Sequence, residues 1–259
     1  MSGARSAPAK LAELIGGVLA AWRMNGQAYG CEWPIHADGE TFSTTVLSPE
    51  EQSLDERFNN KYVNAAIARC EVKGLLLATK VLGRHVESIA PCMCPSPSAY
   101  VLFTTYLTLV SPIRCMDCFG PVALYRMKAM DGDEYCELIS WQSNYQSCDT
   151  LQMNCHVLER AATREMSNIE SILSKSGLEY CQTLAASNDR PFYYYLYRYR
   201  GRSLRTELER RCPGCGNEWR QTPRLHDLFD FKCDRCHLLS NIALDLRWLL
   251  GSSSQPTQG

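Results

Sequence analysis

Apolar side chains recur at helical spacing over residues 8–23, and the spacing predicts an opening helix there. A second helix start is written at Ser48-Pro49-Glu50-Glu51, with a capping serine, a first-turn proline and an acidic first turn. That helix would carry Leu54, Phe58, Tyr62 and Ala65 on one face and end at Gly74. Short apolar or alternating runs predict strands at 28–33, 41–47, 75–82, 85–89, 100–109 and 192–199, with Asp38-Gly39 marking a hairpin turn. Helical spacing returns over 133–141 and over 159–184, the latter stopping near Ser187-Asn188. Residues 92–98 and 115–121 interrupt the pattern with Pro, Ser, Gly and Cys. The element order predicts an α+β protein: a mixed α/β main domain over 1–190, then a smaller module over 191–250. The tail, 251–259, lacks hydrophobic residues and is predicted to be disordered.

Composition narrows the setting. The chain has 259 residues, 45% of them hydrophobic and 21% charged, enough to build its main core without help from a metal. The apolar stretch 100–110 is short and holds three threonines, so no run can span a bilayer, and no membrane partner is expected. Residues 11–21 resemble a signal peptide only weakly, because Glu13 breaks them and Trp22-Arg23 follows. A cytoplasmic, reducing location is therefore expected. Net charge is −1, so any attraction to nucleic acid must come from a local patch.

In a reducing compartment, fourteen cysteines point to metal before disulfides. Cys212 and Cys215 are followed, after seventeen residues, by Cys233 and Cys236. Two cysteines three apart on a tight turn can both face one ion, and two such turns complete a tetrahedral thiolate shell for Zn2+. A full shell leaves no position for water or substrate, so the site is expected to be structural. His226 and His237 are surplus to it. Strands are predicted on either side, at 228–232 and through Ile242, Leu244, Leu246 and Trp248. A third pair, Cys115 and Cys118, has no such downstream partner; Cys92 and Cys94, or Cys148 or Cys155, could complete a second zinc site. A redox pair and inert buried thiols are the competing readings of the same residues. Cys31, Cys70, Cys136 and Cys181 are isolated and read as core.

The run LFDFKCDRCHLLSN at 228–241, with CPGCG before it, resembles a bacterial family of uncharacterised proteins described as zinc-ribbon-containing and suggested to bind nucleic acid. The likeness extends to RCMDCFGPVALY at 114–125, to SWQSNYQSCDTLQMNC at 140–155 and to the tyrosine-rich run at 192–199. It implies a ribbon on the four C-terminal cysteines and carries no catalytic residues.

That tyrosine-rich run is the other candidate site. With period two, Tyr193, Tyr195, Tyr197 and Tyr199 share one face, and Phe192, Tyr194, Leu196, Arg198 and Arg200 the other. Rings beside guanidinium groups suit single-stranded DNA or RNA, whose bases stack and whose phosphates pair with arginine. The same pattern also suits packing against a helix, or a protein contact. Residues 190–248 hold twelve Lys/Arg against seven Asp/Glu, a local net of +5. No GxSxG, Walker, HExxH or GxGxxG motif occurs, and the polar run 141–145 suits a cleft or a capped helix end equally. The expected function is therefore binding, not catalysis. Nucleic acid would be held by the ribbon with Tyr193, Tyr195, Tyr197, Arg198 and Arg200. The alternative is an adaptor whose ribbon docks another protein.

Overall fold

The computed structural model describes residues 7–129 and 134–247 and confirms the α+β class. Those residues divide into two compact units, one of 7–95, 109–114, 120–129 and 134–139, the other of 96–108, 115–119 and 140–247. The strand at 192–196 is built into a sheet whose other members come from both sides of it in sequence.

In the first unit, α1 (Ala7–Met24) lays Val18, Leu19 and Trp22 against Val63, Ala66 and Cys70 of α2 (Lys61–Glu71). The α2 positions are spaced three and four apart, the stripe that a helix needs to bury one side. The predicted start of this helix is corrected. Asn60 is the cap, its side chain accepting from the amides of Tyr62 and Val63, and Tyr62 stays 42% exposed. Residues 49–58 are held out of the helix by buried amides: Gln27 donates to the Ser53 carbonyl at 2.8 Å, and Asn25 to that of Phe58 at 2.7 Å. Glu50 is engaged by the Tyr125 hydroxyl at 3.0 Å and by Arg126. The predicted hairpin forms about Gly39, with β1 (His36–Asp38) and β2 (Thr41–Ser43) shorter than expected, and 28–33 is not its first strand. Residues 75–82 and 85–89 are not strands either.

A six-stranded sheet of order β4-β3-β5-β8-β7-β6 has all its strands but β4 wholly within the second unit. Its strands are β3 (Tyr100–Leu102), β4 (Ile113–Cys115), β5 (Phe192–Leu196), β6 (Arg220–Leu225), β7 (Phe229–Cys233) and β8 (Leu238–Ser240). β5 runs parallel to β3 and to β8, while β6, β7 and β8 are antiparallel. The helices are α3 (Cys136–Met153), α4 (Glu159–Ser167), α5 (Ile172–Asn188) and the short α6 (Leu204–Leu208). The long helical pattern from 159 is thus two helices, split where Ser171 caps α5 by accepting from the Ser174 amide. The run 141–145 lies inside α3, not at a capped end; Trp141 is buried and donates to the Leu173 carbonyl at 3.0 Å. α5 can approach β5 closely only because Gly177 lacks a side chain: a Cβ there would sit 2.3 Å from the Tyr194 ring. Residues 244–246 form a turn of 3-10 helix instead of a strand, and Trp248, Asp133 and the tail 251–259 lie outside the described residues.

Candidate metal centres and a basic groove

Cys233 ends β7 and Cys236 lies in the turn to β8, so the second CxxC of the ribbon is the turn of a β-hairpin. The first is a free-standing knuckle. The Gly216 amide closes it by donating to the Cys212 carbonyl at 2.8 Å, and the Cys212 amide donates to Asn217 at 2.9 Å. Gly216 takes φ +72°, a conformation that glycine adopts without strain. Gly214 lies under the site, where a Cβ would be 2.8 Å from the Cys236 sulfur.

The ligand atoms of Cys212, Cys215, Cys233 and Cys236 all lie within 4.8 Å of one another, with Cys215 and Cys233 sulfurs 3.6 Å apart. A tetrahedral shell with zinc–sulfur bonds of about 2.3 Å requires sulfurs about 3.8 Å apart, so the set is the right size for one ion. Electrostatics favour thiolate at one corner and oppose it at others. The Asn217 amide pulls the Cys215 thiol down to about 7, whereas burial pushes Cys212 and Cys236 up. Four crowded sulfurs need a cation before all can ionise. The group can hold a metal ion.

Cys92, Cys94, Cys115 and Cys118 form a second group on the same distance criterion. Its CxxC turn repeats the ribbon's local geometry. The Phe119 amide donates to the Cys115 carbonyl at 2.9 Å, and Phe119 takes φ +59° where the ribbon has Gly216. Amides also point at sulfur: Asp117 to Cys115 at 3.3 Å and Cys94 to Cys92 at 3.4 Å. Cys148 and Cys155 are in neither group. Cys31 and Cys136, expected in the core, are exposed, while Cys70 and Cys181 are buried as expected.

The aromatic strand is not a platform. Tyr193, Tyr194, Tyr195 and Tyr197 are each at most 8% exposed, because β5 lies between two strands with helices packed on it. Their hydroxyls are used internally. Tyr193 donates to Asp234 at 2.6 Å, Tyr195 to Asn241 at 2.8 Å and Tyr197 to Gln152 at 3.1 Å. Tyr194 contacts Ser174 at 3.3 Å. Arg198 is committed to the buried Glu207 through a two-pronged contact, at 2.6 and 3.1 Å. Arg200 pairs with Glu159 at 2.9 Å. Stacking of bases on Tyr193, Tyr195 or Tyr197, expected from the alternation, is excluded by this burial.

Comparison with known proteins locates the chain. Three family models match in succession: DUF8589 over residues 4–83, DUF2310 over 94–197 and DUF8594 over 201–246, each described as a domain of unknown function. An "Uncharacterized protein" of Haemophilus influenzae is 39% identical over 235 residues, covering 89% of this chain and 90% of its own length. The chain belongs to the family of that protein. A second "Uncharacterized protein" of Haemophilus influenzae is 43% identical over 148 residues, 57% of this chain and 73% of that one. No solved structure matches. Within this bacterial family, the break between the second and third models falls between β5 and α6, so the aromatic strand goes with the longer upstream segment and both ribbon CxxC pairs with the last.

Arg200 faces solvent, but the exposed basic residues beside the ribbon were not singled out by the sequence pattern. A groove of about 620 Å³ runs beside the ribbon knuckles, with Arg211, Arg220, Lys232 and Arg235 on its walls. Arg211 pairs with Glu218 at 2.9 Å and Lys232 with Asp234 at 2.7 Å. Arg220 and Arg235 are exposed and, among the described residues, make no ion pair. Its floor is Trp219, buried on Phe231 at 5.1 Å and donating to the Arg210 carbonyl at 2.9 Å. The local net charge of +5 was the available signal, but it gave no position.

Proposed function

We propose that the protein is a zinc-binding, non-catalytic protein that holds nucleic acid by its phosphates in the groove beside the ribbon. The supporting observation is the pair of unengaged guanidinium groups, Arg220 and Arg235, on walls that a metal site would make rigid. Guanidinium groups match phosphate geometry and stay charged at any relevant pH. With the tyrosines buried, affinity comes from charge and is indifferent to sequence. Zinc is the metal we assign to both cysteine groups, because four thiolates in a closed tetrahedron suit it and leave it no catalytic position.

Two measurements test this reading. Metal analysis of the purified chain should return two zinc ions, one lost in Cys233→Ser and the other in Cys115→Ser; a chain without zinc refutes the assignment. Fluorescence anisotropy with a labelled oligothymidylate should show binding that weakens with salt. Four basic contacts correspond to a slope of log K against log salt of about −3 for a single strand. The double variant Arg220→Glu, Arg235→Glu should lower affinity at least tenfold while retaining zinc. Absence of binding at low salt removes the nucleic-acid reading and favours the ribbon as a protein dock.

A further inference from the structure

Residues 76–82 are the largest unexplained feature of the first unit. Their sequence, Leu-Leu-Ala-Thr-Lys-Val-Leu, is rich in aliphatic side chains, yet they lie outside every helix, strand and turn. Leu76 is 88% exposed, Leu82 73%, Val81 60% and Leu77 51%. Among the described residues, no backbone amide or carbonyl from 76 to 83 has a hydrogen-bond partner. The segment is nevertheless anchored at its start. Leu75 packs on the α1–α2 core and its amide donates to the Cys70 carbonyl at 3.1 Å. Beyond it, Arg84 donates to the Ser88 hydroxyl at 2.8 Å. Exposed aliphatic side chains beside unpaired backbone are what a sheet edge offers to another strand.

The order of side chains identifies that strand. About Thr79 the segment is self-complementary: Leu76 matches Leu82, Leu77 matches Val81, and Lys80 matches the small Ala78. An antiparallel pair of identical segments related by a two-fold axis through Thr79 therefore sets apolar against apolar and threonine against threonine. No lysine is directly opposite its own copy. One face of such a ribbon carries only Leu77, Thr79 and Val81 from each chain. A two-fold interface requires one patch to complement itself in this way, whereas an unrelated partner does not.

We propose that residues 76–82 pair antiparallel with the same segment of a second copy, making the protein a homodimer. Sedimentation or light scattering of the full chain at tens of micromolar should then give twice the 29.3 kDa chain mass. Thr79→Lys and Thr79→Glu each place like charges opposite one another on the axis, and each should become monomeric. Thr79 is exposed, so neither change should unfold the chain. Mixing the two variants should restore a dimer containing one chain of each, because Lys now faces Glu. A monomeric wild type, a Thr79→Lys variant that stays dimeric, or a mixture that stays monomeric would each overturn the proposal.

Discussion

Residues 76–82 are a short aliphatic run and β5 a short aromatic one, and the molecule treats them in opposite ways. β5 is the more polar of the two, with three adjacent phenols, yet it is the buried strand. The leucine-rich run faces solvent. What separates them is supply from the rest of the chain. Each β5 tyrosine finds a specific acceptor or hydroxyl, on Asp234, Ser174 or Asn241, and strands flank it on both sides. Residues 76–82 are offered no backbone partner among the described residues. Burial of a strand is decided by who can satisfy its polar groups; hydrophobicity alone does not secure it.

The largest expected effect comes from removing metal. β8 borders β5 and is joined to β7 through the Cys233–Cys236 turn, so chelation should loosen the edge of the aromatic strand. Structural zinc contributes on the order of 10 kcal/mol in small ribbons. Hydrogen exchange at 193–197 should accelerate strongly after chelation, while exchange in α1 and α2 should not; equal protection with and without metal would break the link drawn here. Next comes Tyr194→Ala, expected to cost about 3–5 kcal/mol in urea unfolding, since the fully buried ring fills the space over Gly177. Tyr195→Phe, which removes one hydrogen bond to Asn241, should cost about 1 kcal/mol.

The same burial has a pH signature. It raises the folded pKa of Tyr194 and Tyr195 above the ordinary value of about 10, so the fold prefers the neutral phenols. Their contribution is complete below about pH 10 and is lost as pH rises from there toward the folded values. The alkaline fall in stability should be shallower in Tyr195→Phe than in the wild type. The smallest effect belongs to the other segment. Leu76→Ser should leave the unfolding midpoint of dilute, monomeric protein within about 0.5 kcal/mol of wild type. A larger loss would mean that Leu76 is packed after all.

Local features were the legible ones. The amphipathic α1, the Asp38-Gly39 turn and both ribbon CxxC pairs are written in residues a few positions apart. The period-two pattern of 192–199 also marks a strand, formed over 192–196, but its burial depends on Asn241, 46 positions downstream of Tyr195. The Ser-Pro-Glu-Glu helix start fails for a similar reason. Asn25 and Gln27, far earlier in the chain, take the carbonyls that would have begun the helix. Cys92 and Cys94 joined Cys115 and Cys118 as one of several open pairings, and only three-dimensional proximity chose among them.

The parallel placement of β5 between β3 and β8 has a consequence for synthesis. β3 is complete long before β5 leaves the ribosome, but β8 follows Leu196 by another 42 residues, counting to Leu238. At translation rates of about 5–20 residues per second, one edge of the tyrosine strand stays uncovered for several seconds. Cys212 and Cys215 emerge within that interval and Cys233 and Cys236 near its end, so the four-cysteine group and the sheet are completed together, late in synthesis. A nascent chain stalled before β8 would present its most aromatic strand to the cell's chaperones.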